Sequence, residues 1–468
     1  MVSADDAAEA ISFGTDGWRA ELSLFTPDRV RMVGQAVARY LDDTDTGGPV
    51  AIGYDARERS REFAEELARV VAANSRDVIV ADRDCPTPVL AWTVATGEYA
   101  GGLVVTASHN PPGYNGVKFL PADGAPALPE VTDALEARLA SPDPAPESEY
   151  GSVYEQDLVD AYTDHALAFV DRTLDGVTVA YDAIHGSGRG VTDALLERAG
   201  ATVTRFRCDR DPTFGGAGPE PSPERAGAVR EAVGDGDADL GFINDGDADR
   251  VGVVTPERGY LDPNVVLALL YDYLLESDDG DVVRTVSTSS LVDRIAGAHG
   301  RSVHETPVGF KWVAAAMGEH ETLVGGEESG GYGVMAHLRN KDGVLLALLL
   351  AGAQTDRPLD ERIDDLFAAH GEIHQGRISL DCPDAAKAAA IDALEDGLPE
   401  TFAGESVADV NTVDGFKLTL ADGTWLLVRP SGTEPKLRVY AEATSEGRVA
   451  GLLDAGRELV EPVVEPGD

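Results

Sequence analysis

The chain's 468 residues exceed what one hydrophobic core organises, so several domains are expected. Its 38 basic residues against 83 acidic ones leave a net charge of −45, which excludes DNA and anionic membranes as partners because nothing would neutralise their phosphates. Hydrophobic residues at 43% with aromatics at only 6% fit α/β units built on Ala, Val and Leu.

So much like charge repels itself in dilute buffer, whereas near-molar salt shortens the screening length to about 3 Å. The composition therefore fits a halophilic protein working in concentrated salt, and the use of six lysines against 32 arginines agrees with it. Cys85, Cys208 and Cys382 are far apart, odd in number and without CxxC spacing, which implies neither a disulfide framework nor a zinc site and suits a reducing compartment. The amino terminus, MVSADDAAEA, is acidic where a signal peptide is basic. The longest apolar runs, 265–271 and 343–352, fall short of the ~20 residues that span a bilayer. A soluble, cytoplasmic protein is expected, as a monomer or homodimer.

In chain order, residues 27–41 repeat with helical period, 50–54 read as a buried strand, 60–74 as a helix, and 78–81 and 101–106 as strands. A Pro/Glu/Ser-rich stretch over 141–150 reads as a linker. Strand 177–181, helix 191–199 and strands 202–206 and 239–244 make a second unit. Helix 264–275, strand 285–287 and a helix after Asp342 make a third. Beyond it, strand 377–380, helix 384–395, strands 415–420, 425–429 and 437–443 and a closing helix read as a small α+β unit. The alternation predicts largely parallel sheets covered by helices, with units at 1–146, 147–255, 256–370 and 371–468.

Four loops carry chemistry. The first, Thr106-Ala-Ser-His-Asn-Pro-Pro-Gly-Tyr-Asn-Gly-Val-Lys118, follows a strand. A small nucleophile at a strand's carboxyl end, among turn-formers, is where α/β sheets place reactive groups. Ser108 alone reads as a cap or turn residue, but His109, Asn110 and Lys118 supply the donors and the proton acceptor that a phosphorylated serine and an attacking sugar hydroxyl need. No GxSxG surrounds Ser108, so it is not a hydrolase elbow.

The second loop, Asn244-Asp-Gly-Asp-Ala-Asp-Arg250, sets three carboxylates at alternate positions, able to wrap a hard cation such as Mg²⁺ and leave sites for phosphate oxygens. A calcium EF-hand fails here, because Arg250 and Pro256 stand where that loop needs Gly and Glu; an acidic surface turn is the bland reading. Arg250 suits a phosphate contact beside the metal.

The third loop, Gly325-Gly-Glu-Glu-Ser-Gly-Gly331, and the fourth, Arg429-Pro-Ser-Gly-Thr-Glu-Pro-Lys436, are individually ordinary glycine turns. Glu327 and Ser329 offer an acceptor and a hydroxyl to sugar diols. Arg429, Ser431, Gly432 and Thr433 make an anion nest. His185-Gly-Ser-Gly-Arg-Gly190 does not fit GxGxxG and reads as a strand-to-helix turn, and His165 and His299 read as satisfied helix histidines.

Together, Phe13-Gly-Thr-Asp-Gly-Trp-Arg19, Thr106-Ala-Ser-His-Asn-Pro-Pro, Asp245-Gly-Asp-Ala-Asp-Arg250, Gly326-Glu-Glu-Ser-Gly330 and Arg429-Pro-Ser-Gly-Thr-Glu-Pro resemble the signature set of the α-D-phosphohexomutase superfamily, from Phe13 to Tyr440. The resemblance implies three similar α/β domains with mixed sheets, plus a C-terminal α+β domain like the TATA-binding protein, around one central cleft. It implies a phosphoserine at Ser108 completing Mg²⁺ coordination with Asp245, Asp247 and Asp249. Arg19, His109, Lys118 and Arg250 would surround the phosphoryl group, with Lys118 as general base. Gly309 and Lys311, in Thr306-Pro-Val-Gly-Phe-Lys311, would join Glu327 and Ser329 on the sugar, and Arg429, Ser431, Gly432, Thr433 and Lys436 would hold its far phosphate.

The implied reaction moves phosphate between glucose 1- and 6-phosphates through a hexose 1,6-bisphosphate, which is both intermediate and activator. Glu-Glu-Ser resembles glucose-handling members, whereas Phe13-Gly-Thr-Asp-Gly also resembles the glucosamine branch, and mannose phosphates stay open. Outside that reading stand a phosphatase using the same serine and a non-catalytic phosphosugar-binding protein. Gly331 departs from the pattern, standing where many relatives carry a histidine. An anionic substrate must reach a chain of charge −45, so Arg19, Lys118, Arg250, Lys311, Arg429 and Lys436 are expected to form a local positive island.

Overall fold

Strand Val50–Tyr54 is buried along its whole length, as an apolar run must be when helices cover both faces of a sheet. The computed structural model describes residues 8–14, 16–432 and 434–464. In it this strand lies inside a six-stranded sheet ordered Trp18–Glu21, Tyr114–Pro121, Gly101–Val105, Val50–Tyr54, Val78–Ala81 and Val153–Gln156. The last three run parallel to one another and to Gly101–Val105; the first two are antiparallel to their neighbours. Val153–Gln156 is expected beyond the 146 boundary, but it pairs with Val78–Ala81 and so extends the first sheet.

The second sheet is ordered Gly259–Tyr260, Val251–Thr255, Leu240–Asn244, Thr178–Asp182 and Thr202–Phe206. The third runs Val303–Thr306, Asp281–Thr285, Thr322–Gly326 and Tyr332–Val334. These three units repeat one device: a buried parallel strand ends in a loop and the chain returns antiparallel, Gly101–Val105 to Tyr114–Pro121, Leu240–Asn244 to Val251–Thr255, Thr322–Gly326 to Tyr332–Val334. The serine, aspartate and glutamate motifs are those three hairpin loops. The return strand Tyr114–Pro121 is hidden in the sequence because its first residues read as part of the serine motif.

The fourth sheet is antiparallel throughout, His374–Asp381, Lys436–Ala443, Trp425–Pro430, Phe416–Leu420, Glu405–Asn411 and Thr401–Phe402. Three mixed α/β units and a C-terminal α+β unit are thus the architecture that the sequence predicted. One continuous apolar core runs from Ile11 to Leu366, whereas the fourth unit has its own. The fourth meets the third through a small apolar patch of Val286, Trp425, Leu427 and Tyr440 and a larger polar set. In that set Glu305 takes Lys417 at 2.6 Å, Ser290 and Gln375 bond Glu442, and Asn264 donates to Gln375 at 2.9 Å. A polar interface between separate cores is the kind that permits relative domain motion.

Candidate active site

Ser108 leaves the strand Gly101–Val105 with a positive φ of 49°, fully buried. Its Oγ donates to Asp245 Oδ2 at 2.8 Å, and its backbone N–H to Thr106 Oγ1 at 2.8 Å. A left-handed turn at a non-glycine residue persists only where its surroundings impose it, and here one guanidinium does. Buried Arg57 donates to the carbonyls of Ser108 and Asn110, both at 2.6 Å, of Pro111 at 2.8 Å and of Tyr114 at 3.2 Å. Its Nε meets Asp55 Oδ2 at 3.1 Å, and Asp55 also takes the hydroxyls of Thr106 and Ser60 at 2.6 and 2.7 Å. Burial pushes the Asp55 carboxyl up and the Arg57 guanidinium down. Neither residue stands out in the sequence; the available signal is an Asp-x-Arg placed directly after a buried strand.

The aspartate loop sits against the serine loop. A Cβ on Gly246 would lie 2.7 Å from the Ser108 carbonyl, so only glycine permits the approach. Asn244 clamps the hairpin, accepting from Tyr181 and Thr192 at 2.9 and 2.8 Å and donating to the Arg250 carbonyl at 2.8 Å. Behind it, the 185–190 turn supports the loop, Ser187 donating to the Gly246 carbonyl at 3.0 Å. Asp245, Asp247 and Asp249 are buried, with one oxygen of each lying within 4.8 Å of the others.

Asp247 Oδ1 and Asp249 Oδ1 are buried without a hydrogen-bond partner. Orphaned oxygens within a buried cluster of three carboxylates fit a donor set for a hard divalent cation. Asp245 is driven well up, by burial first and then by Asp247 and Asp249; burial also raises Asp247, but Lys118 and Lys341 outweigh it and hold it low. Lys118 Nζ lies 2.9, 3.1 and 3.0 Å from Asp247, Asp249 and Asp16. Burial opposes its charge, yet those carboxylates keep its proton on, well above the usual lysine range.

Lys341 Nζ reaches Asp249 at 2.8 Å, and Arg19 is paired with Asp16 at 2.8 Å and Asn110 at 3.0 Å. Neither Lys341 nor Asp16 was singled out in the sequence, and Lys341 explains Gly331. A Cβ on Gly331 would stand 2.5 Å from Lys341 Cδ, so the lysine stem fills the place that a larger residue would take. Next to Lys341, buried Asp342 accepts from Tyr162, from His337 at 2.8 Å and from the amides of Val344 and Leu345, fixing the start of helix Gly343–Asp356. His109, 3.4 Å from Ser108 Oγ, is driven down to about 2 by Arg250, by burial and by Arg19, so it works as a neutral ring.

Arg250 Nη1 meets Glu220 at 3.2 Å and the Ser329 carbonyl at 3.3 Å, joining the aspartate loop to the third. Glu327 accepts from Gly309 N at 3.0 Å, and burial raises its carboxyl to about 7 against the pull of Lys341. Gly309 takes a φ of 123°, and Lys311 lies 5.7 Å from the Trp312 ring centroid. One cleft of about 1160 Å³ is lined by Arg19, His109, Arg250, Gly309, Lys311, Glu327, Ser329 and Lys341.

In the fourth unit, Arg429 is turned into Asp414 Oδ2, which receives its Nε and Nη2 at 3.0 Å and also Val308 N at 3.0 Å. Ser431 is buried, its Oγ accepting from Glu434 N at 3.2 Å, and Gly432 is exposed at the loop tip; Thr433 lies outside the described residues. Lys436 points to Asp381 at 3.5 Å. The cleft wall on this side is Arg377, Arg438 and Tyr440; of the expected positive island Arg19, Arg250 and Lys311 line the cleft, Lys118, Arg429 and Lys436 do not, and Lys341, Arg377 and Arg438 join the lining.

Two outcomes follow. The folded protein holds a proton on Glu327 between pH 4.5 and about 7 that the unfolded chain releases, so this group's stabilising effect is present at low pH and lost as pH rises through 7. Glu327→Gln should therefore raise Tm at pH 8, by the equivalent of up to roughly 3 kcal/mol, with a gain that shrinks towards pH 5.5 in differential scanning fluorimetry. Gly246→Ala should separate the two loops and lower divalent-cation affinity at least tenfold by titration calorimetry, with Tm falling by only a few degrees.

Models of the phosphoglucomutase/phosphomannomutase family match this chain in order: alpha/beta/alpha domain I over residues 10–145, domain II over 160–259, domain III over 262–370 and the C-terminal domain over 378–459. A Methanopyrus kandleri protein, named probable phosphoglucosamine mutase, is 35% identical over 459 residues, covering 97% of this chain and 98% of its own. A Komagataeibacter xylinus phosphoglucomutase is 30% identical, covering 93% of this chain and 88% of its own. A solved Thermus thermophilus structure, named for phosphomannomutase, has a TM-score of 0.83 and 32% identity, covering 97% of this chain and 99% of that one. With every domain matched and full-length relatives named as mutases, this chain is an enzyme of the phosphoglucomutase/phosphomannomutase family, within the α-D-phosphohexomutases.

Proposed function

We propose that this mutase interconverts glucose 1-phosphate and glucose 6-phosphate through a phosphorylated Ser108 and a bound hexose 1,6-bisphosphate. The carrying observation is the 2.8 Å contact between Ser108 Oγ and Asp245 inside a buried three-aspartate loop with orphaned oxygens. In the forward half, the free sugar hydroxyl attacks phosphorus, the P–Oγ bond of Ser108 breaks, and the hydroxyl proton passes to the protein. In the return half, the turned-over bisphosphate presents its other phosphate, Ser108 Oγ attacks that phosphorus as the P–O bond to the sugar breaks, and the departing sugar oxygen takes the proton back from the protein.

Magnesium, the family's cation, would be held by Asp245, Asp247, Asp249 and Ser108, where it would draw charge from the phosphoryl oxygens. The chain's own residues divide the rest. Arg19 and Arg250 flank the serine loop and offset charge on the moving phosphoryl group, which is the main lever in this chemistry. Neutral His109 orients it. Lys118, with three carboxylates holding its proton, contributes charge in this state, so its reading as general base needs those carboxylates engaged elsewhere. Glu327, its carboxyl near 7, is poised to exchange a proton with a sugar hydroxyl.

Glu327, Ser329, Gly309 and Lys311 share the sugar end of the cleft, which supports the sugar-binding assignment. The glucosamine reading is favoured by the name of the Methanopyrus kandleri relative. Coupled assays on glucose, mannose and glucosamine 1-phosphates separate the two: glucose should lead in kcat/KM by at least tenfold, and glucosamine in the lead would overturn the preference. Ser108→Ala should drop turnover below about one hundredth with the bisphosphate supplied, and intact mass should lose one phosphoryl group. Steady release of inorganic phosphate would indicate a phosphatase, and a wild-type protein without phosphate or turnover a binding protein.

No described helix is long and apolar enough to cross a membrane. We read the −45 charge as an adaptation to concentrated salt in the cytoplasm. Raising KCl from 0.2 to 3 M should increase Tm by more than about 10 °C, since screening removes self-repulsion; a flat or falling Tm counts against it.

A further inference from the structure

Lys341 reaches the aspartate loop from a stretch of the third unit in which Asn340, Lys341 and Asp342 are each 5% exposed or less. A lysine carries its charge on a flexible four-carbon stem, so that charge has a fixed address only where both the walls around the stem and the backbone beneath it are held. The walls are Gly331 beside the stem and the carboxylates of Asp249 and Asp16, 2.8 and 3.5 Å from Nζ. The backbone is held by the residues on either side.

Asn340 Nδ2 donates to the Gly124 carbonyl of the first unit at 2.9 Å, and its Oδ1 accepts the Lys341 N–H at 2.8 Å. On the other side the buried Asp342 carboxylate accepts from four donors: the amides of Val344 and Leu345, the Tyr162 hydroxyl and His337 Nε2. Tyr162 belongs to helix Val159–Val170. The His337 side chain has no exposure, and its second nitrogen, Nδ1, lies 3.0 Å from Nε2 of His165 on that same helix. His165 rests on Trp92 of the first unit, with ring centroids 5.0 Å apart. Lys341 is therefore anchored through Asn340 to the first unit and through Asp342 to the helix that opens the second. Neither Asn340 nor His337 lines the cleft.

We propose that His337 and Asn340 are positioning residues of the mutase reaction, which touch neither sugar nor cation and act by fixing the two ends of the 340–342 stretch so that Lys341 stands at Asp249. An imidazole with both nitrogens engaged cannot turn, and it completes the set of donors that a buried carboxylate requires. Without it Asp342 is one donor short and the lysine backbone loses its anchor on that side. The inference rests on the mutase reading, because it assigns these residues to the placement of a charge beside the transferring phosphoryl group. A misplacement of about 1 Å at such a group can cost on the order of a hundredfold in rate.

The test is a double-mutant cycle in the full chain with Mg²⁺ and glucose 1,6-bisphosphate, run on whichever hexose phosphate the wild type turns over best. Slow variants are followed by product accumulated over hours. His337→Phe keeps a ring and removes both nitrogens, His337→Gln returns an N–H towards Asp342, and Lys341→Met removes the charge. His337→Phe should lower kcat by about tenfold or more in the wild-type background but by less than about twofold in Lys341→Met, where no charge is left to place. His337→Gln should recover kcat to within about threefold of wild type, the contact to His165 being the one still missing. Asn340→Leu, which cuts the anchor on the opposite side, should repeat the cycle and decides the matter if His337→Phe does not fold. Equal losses in both backgrounds, which a purely structural role gives, overturn the proposal, as do unchanged kcat in His337→Phe and Asn340→Leu or no recovery in His337→Gln. Failure of the mutase reading shows separately, as a wild-type protein that turns over none of the hexose phosphates.

Discussion

Three buried carboxylates crowded into one short loop cannot all stay ionised unless opposite charge is brought to them. Most of the cleft answers that requirement. Lys118 arrives from the first unit and Lys341 from the third, and both are threaded onto the aspartates of the second. Asp16 accepts from both lysines and from Arg19, so the network closes on itself with oxygens of Asp247 and Asp249 still unpartnered. The geometry that neutralises the aspartates is also the geometry that assembles the first three units around one point.

Those units meet there because each ends a buried parallel strand in a hairpin loop, and the loops face one another. Two close backbone contacts make the meeting possible. Gly246 lets the aspartate loop touch the Ser108 carbonyl, and Gly343 lets helix Gly343–Asp356 start against the Arg250 carbonyl, where a Cβ would come within 2.3 Å. Arg57 serves the same end from inside the first unit, tying four carbonyls of the serine loop so that Ser108 holds a conformation it would not choose alone.

The fourth unit is attached on different terms. Its own core, its polar contact with the third unit and the sharing of Asp414 between Arg429 and Val308 make it a body that can shift while the other three stay fixed. A cleft with one movable wall can admit a charged sugar and then exclude water from a phosphoserine. The pinning of Arg429 by a carboxylate that also contacts the sugar-side loop links the position of that wall to the orientation of the arginine.

The mixed sheets were implied by the family resemblance, whereas the alternation of strands and helices in the first three units and the change to an α+β last unit were legible in the sequence, because period and turn chemistry are local properties. So were Ser108, Asp245, Asp247 and Asp249, since a nucleophile among turn-formers and carboxylates at alternate positions declare themselves within a short stretch. Asp16, Arg57, Lys341 and Arg377 were not. Each is an ordinary charged residue in its own segment and acquires its place only from what lies opposite it, far away along the chain. The same holds for the glycine at 331, which looked like a loss until the lysine stem filling its space was visible. Arg429 has a phosphate-binding spacing in the sequence, and its pairing with Asp414 is visible only in the fold. Local chemistry is written along the chain; which charges neutralise one another is decided by distance in three dimensions, and only folding sets that.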